Sequence, residues 1–164
     1  APTTITIDLP DAQDTGSSAT DNITRNRTLT FVGTAEPGMQ VELMAQGAVI
    51  ATTTTAANGT WQATVTRPAD GVHAISAVAI DAAGNRTATP ATLNVTIDSL
   101  PPQITLTTPI QSPINQASRL TGSINGTGSA ISSATYRFGN QALQPISINA
   151  GAFDQAFNFS GVAN

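Results

Sequence analysis

Short runs of alternating apolar and polar residues recur along the whole chain, each bounded by turn-forming residues. Strand side chains point alternately to opposite faces, so each run presents one apolar face that a second sheet must cover. Helical spacing is nowhere sustained. The pattern predicts an all-β sandwich, and the composition agrees. Thr occurs 26 times beside many Val, Ile and Ser, while 13 Gly and 10 Pro supply the turns.

The first expected strand is TTITID, residues 3–8, with Ile5 and Ile7 on one face. TLTFVG (28–33) follows with Leu29 and Phe31 inward, then MQVELM (39–44) with Val41 and Leu43 inward, joined by the Pro37-Gly38 turn. AVIATTTT (48–55) and TWQATVT (60–66) flank Asn58-Gly59, the strongest short hairpin signal. The second of these carries the one Trp, Trp61, in register with Ala63 and Val65, which places it at the core's centre. VHAISAVAID (72–81) is apolar on both faces and reads as a central strand. ATLNVTID (91–98) closes the set with Leu93, Val95 and Ile97 on one side. Seven strands in 98 residues match an immunoglobulin-like sandwich in number and spacing.

SLPPQ, residues 99–103, reads as a linker because paired prolines cannot continue a ladder. A second copy, residues 104–164, begins there. QITLTTP echoes TITIDLP, SRLTGSINGTGS echoes TLTFVGTAEPG, and AGAFDQAF echoes ANGTWQAT, which aligns Phe153 with Trp61. Its expected core is Ile104, Leu106, Leu120, Tyr136, Phe138, Ile146, Ile148, Phe153 and Phe157. After Gly59 the first copy continues for 39 residues to Asp98, whereas 13 follow Gly151, so the second copy reads as truncated by about two strands. A fragment boundary, a natural domain completed by a donor strand, and a shorter complete sandwich all fit that count.

Charge narrows the function classes. Lys and Cys are absent, the six Arg are scattered, and the net charge is −4, which leaves no basic footprint for nucleic acid and no thiol chemistry. No apolar run is long enough to insert in a membrane. Ala1 leads directly into strand-like sequence, which reads as an internal segment of a longer protein. His73 is the one His, so neither a multi-imidazole zinc site nor a Ser/His/Asp relay forms within the chain, and a structural or solvent-facing role is expected for it. No enzyme activity is expected.

The series TGSSATDNIT, FVGTAEPGMQVEL, ANGTWQATV, DGVHAISAVAIDAAGN and LNVTID resembles the bacterial immunoglobulin-like repeats found in tandem in very large secreted adhesins and biofilm proteins. The resemblance covers residues 3–98, and the second copy matches more loosely. It implies strings of such domains at the bacterial cell surface, exported by a type I pathway and stiffened by calcium near domain junctions. In that family most repeats are extenders that carry a distal binding domain outward, with neighbouring repeats as partners. A minority bind sugars, proteins or a host or matrix surface.

The stretch DLPDAQDTGSSATDN, residues 8–22, gathers Asp8, Asp11, Asp14 and Asp21, four of the ten acids. A hard cation such as Ca2+ needs about six to eight oxygen ligands, which carboxylates and exposed carbonyls can supply. DAAGN (81–85) is a turn of the same character. By position in the related repeats, the resemblance singles out Asp11, Asp14, Asp21 and Asp81 as metal ligands, with Asp8 and Asp98 as additions and Asp81 beside the loop. The spacing is not that of an EF-hand. The alternatives are a solvated loop whose Asp and Ser cap local backbone amides, and a catalytic carboxylate pair. The second copy's equivalent segment, residues 107–118, holds no acid, so any such site belongs to the first domain or the junction. The leading reading is a spacer. A loop-borne binding module and an appendage of a carbohydrate-active enzyme are the rivals.

Overall fold

The structure, a computed structural model, describes residues 2–15, 18–66, 69–107, 119–126, 130–137 and 140–156, with residues 154–156 described by their backbone alone. The chain divides into two compact units, Ala1–Ser99 and Leu100–Asn164. Every element in the described residues is β. None is a helix long and apolar enough to cross a membrane.

In the first unit β1 is Ile23–Thr24, β2 Thr28–Thr34, β3 Gln40–Ala45, β4 Ala48–Thr54, β5 Thr60–Thr66, β6 Gly71–Ile80 and β7 Ala91–Ile97. One sheet has the order β1-β7-β6-β3-β4, and β2 pairs with β5 in a second. The alternating pattern is what sandwiches the core between them. Leu29 and Phe31 from β2 and Trp61, Ala63 and Val65 from β5 meet Val41, Leu43, Ile75, Ala77, Val95 and Ile97 from the larger sheet, all buried in one cluster. As its two-sided apolar sequence predicts, β6 lies between β3 and β7, and Ala77, Val78 and Ala79 in succession are buried.

Residues 3–8 differ from the expected strand. They touch the β2 side through isolated bridges, Ile5 with Ala35 and Asp8 with Val32, without forming a continuous ladder. The reason is local. The Thr6 hydroxyl accepts the Thr34 amide at 2.8 Å, where a regular ladder would place a carbonyl. The alternation nevertheless holds, since Ile5 and Ile7 pack on the core and Leu9 is buried. The strand β1, inside what reads as a polar loop, is an addition to the expected seven; two residues are too few to show a period.

In the second unit β8 is Gln103–Leu106, β9 Arg119–Asn125, β10 Thr135–Tyr136, β11 Gln144–Pro145, β12 Ile148–Asn149 and β13 Ala152–Ala156. The sheets are β12-β13-β9-β8 and β10-β11. Leu120 and Phe153 form the core, with Tyr136 and Ile146 against them. Ile104 and Leu106, expected in that core, are exposed instead, because β8 is an edge strand that nothing in the described residues covers. Phe138, Phe157 and most of 107–118 lie outside the described residues.

The repeat has a structural signature. Trp61 faces Gly33 across the β2–β5 pair, and a Cβ on Gly33 would run into the Thr6 carbonyl and meet the indole at 2.6 Å. Phe153 faces Gly122 across the β9–β13 pair, and a Cβ there would meet its ring at the same 2.6 Å. An aromatic lies over a glycine in each unit, as the alignment of Phe153 with Trp61 requires. In the second, the hairpin leading into β13 turns through Ala150 and Gly151, both at positive φ.

Candidate functional site

The aspartate loop is tied together by its own polar groups. Pro10 O accepts the Gln13 and Asp14 amides, making a turn that leaves Asp11 exposed. Gln13 then points back into the fold. Its side-chain oxygen accepts the Thr30 amide at 2.9 Å, and its carbonyl accepts the Thr24 hydroxyl at 2.6 Å. Asp14 is 6% exposed, and its Oδ2 accepts the amide of Asn22, a residue at φ 57°. Asp21 Oδ1 accepts the Ile23 amide two residues on. These bonds deliver β1 to the sheet edge, where it runs parallel to β7 with Ile23 opposite Thr96 and Thr24 opposite Ile97.

Asp81 belongs to a different place. It follows β6, and its Oδ1 accepts the Ala83 and Asn85 amides while Oδ2 accepts the Asn85 side chain at 2.8 Å. Hydrogen bonds from the Asn85 side chain and backbone hold its carboxyl below the ordinary aspartate value. Thr96 pairs with Val72 near the start of β6, whereas Asp81 lies just past its end. At about 3.3 Å per strand residue the two places are roughly 25–30 Å apart. The expectation that Asp81 sits beside the loop is therefore corrected: Asp11, Asp14 and Asp21 share one loop, and Asp81 caps its own turn at the far end of β6. Asp8 bridges Val32, and the Asp98 amide bonds Thr24 O.

Among the described residues no three His, Asp or Glu side chains converge as a metal cage. The fit to a cation thus rests on single atoms. Asp14 Oδ1 is buried and has no hydrogen-bond partner among the described residues, a costly state that a cation or a donor would relieve. The oxygens of Asp81 are spent on the cap. Of the four candidates, Asp14 fits a cation ligand best.

A cleft of about 600 Å3 lies where β4 and β5 come together, walled by Thr34, Thr53, Thr54, Thr60, Gln62 and Trp61. Its lining is uncharged, so it offers no general acid or base. Trp61 itself is 3% exposed and serves as core instead of a stacking platform. His73 donates its Nε2–H to Ala69 O at 3.0 Å, bracing the turn before β6. Sequence reading missed Gln13 and Thr24, the side chains that order the loop. Their polar identity in a polar stretch gave no signal.

Two facing sheets with a short strand parallel to the last one define the immunoglobulin class of sandwich. The chain belongs to the bacterial Ig-like domain family, whose family model matches residues 1–99. Among solved structures it is similar to a bacterial immunoglobulin-like domain from the M. primoryensis ice-binding adhesin, with 27% identity over 59% of this chain and 97% of that one, at TM-score 0.36. It is also similar to a Ca2+-stabilized adhesin that helps an Antarctic bacterium bind ice, with 24% identity over 95% of this chain and 41% of that one, at TM-score 0.46. A tetra-tandem repeat in the extending region of a large adhesion protein is 20% identical over 99% of this chain and 42% of that one, at TM-score 0.40. No curated protein matches.

Proposed function

We propose that the chain is a structural extender of a bacterial cell-surface adhesin, one stretch of a tandem array that carries a distal binding domain outward. The observation that supports this most is the division into two successive sheet-built units, the first of them a bacterial Ig-like domain. The mechanism is mechanical: cross-strand hydrogen bonds and a continuous core resist extension, and no reacting group is required. The partners are neighbouring repeats, and the location is outside the cell, by type I export. Calcium is part of this reading as a stiffener of the first unit, held at Asp14. The buried free oxygen of Asp14 supports it. Burial of Trp61 and the uncharged cleft give the binding-module reading no comparable support.

Concatenating one, two and four copies of the 164-residue chain and imaging them by atomic force microscopy tests the extender. Contour length growing in proportion to copy number is expected. Collapsed particles whose length does not follow copy number would contradict it.

A further inference from the structure

We propose that Arg27, Asp70 and Ser99 form a latch that holds the chain's exit from the first unit against a pull along the polypeptide, a role that rests on the extender reading. The three side chains come from the residue before β2, the residue before β6 and the second residue after β7. They close a ring. Arg27 Nη2 donates to Asp70 Oδ1 at 2.9 Å and to Ser99 Oγ at 2.7 Å, and the Ser99 hydroxyl donates to Asp70 at 2.9 and 3.2 Å. Asp70 is 20% exposed, and the His73 bond to Ala69 O braces the turn that presents it.

Ser99 is the last residue of the unit, so tension arriving from Leu100 reaches it first. Behind it, the Asp98 amide bonds Thr24 O and the Thr96 amide bonds Asn22 O, both at 2.9 Å. Because β1 and β7 run parallel, a pull on the end of β7 against the rest of the chain shears those bonds together. Peeling them singly requires Ser99 to swing out of line, and the ring anchors it to the starts of two other strands. Charge-assisted hydrogen bonds are short and directional, which suits a tie of this kind.

The chain has no Cys, so one introduced thiol gives a unique handle for force spectroscopy. The full chain is held at its N-terminus and pulled through Leu100→Cys, or through Ala57→Cys in the exposed β4–β5 turn, which bypasses Ser99. Asp70→Asn and Ser99→Ala are each placed in both backgrounds. Under constant load through residue 100, unfolding of the first unit should speed up about tenfold, as expected for loss of one hydrogen bond to a charged group. Through residue 57 the rate should stay unchanged. Equal acceleration in both directions would reduce the ring to ordinary stabilisation, and no change through residue 100 would remove the latch; both overturn the proposal. Should Asp70→Asn fail to fold, Ser99→Ala, which deletes a single hydroxyl, decides. Either failure leaves the extender reading standing, since concatemer length does not depend on this ring.

Discussion

At the scale of single residues, the glycines under Trp61 and Phe153 constrain the fold most sharply. Gly33→Ala and Gly122→Ala each force a ring and a strand apart, and overpacking of this kind costs about 1–3 kcal/mol. Urea denaturation should show each loss confined to its own unit; a neutral Gly33→Ala would mean that the Thr6 carbonyl and the indole both move aside. Glu36 is the titrating counterpart. Its carboxylate accepts the Thr3 amide at 3.1 Å and the Thr3 hydroxyl at 2.9 Å, which lowers its pKa, as Asn85 does for Asp81. Both pKa values are depressed in the fold, so both contribute stability above the unfolded-state values and lose it as pH falls through the folded ones. The melting midpoint should therefore drop between about pH 5 and pH 3, and Glu36→Gln should flatten part of that drop. The core half of these residues was legible because Trp61 and Phe31 alternate with polar neighbours. Thr3 bonding Glu36 was not, since 33 positions separate them and neither carries a pattern.

At the scale of elements, most strands and the tight hairpin were readable and the long connection before β2 was not. β2 to β7 follow their alternation to within a residue or two, and the hairpin at Asn58-Gly59 stands where its chemistry places it. The likeness to related repeats drew the four aspartates into one expected site, yet a series of motifs carries no distance, and a ten-residue strand separates Asp81 from the rest. β1 escaped notice for the converse reason: its two residues are ordered by Gln13 and Asp14 from earlier in the loop. The loop is also where calcium acts in the extender reading. Millimolar calcium should raise the melting midpoint of the first unit by about 4 °C or more, the shift that roughly 1 kcal/mol gives a domain of this size. Asp14→Asn should abolish the shift and Asp81→Asn should leave it. An unchanged midpoint in calcium and in chelator would remove the metal from the account.

For the whole molecule, what matters is how force passes through a sandwich whose two ends are both tied: Thr3 to Glu36 where the chain enters, Ser99 to Arg27 and Asp70 where it leaves. The second unit has the same aromatic-on-glycine pairing but a smaller described core, built on Leu120 and Phe153. The first should therefore be the stronger of the two. Pulling the full chain end to end at constant force measures this directly. The account predicts that the first unit gives way in one cooperative step of roughly 300 Å, near the extended length of residues 2 to 99, and does so at the higher force. Gradual lengthening at low force, with no discrete step of that size, would contradict an extender.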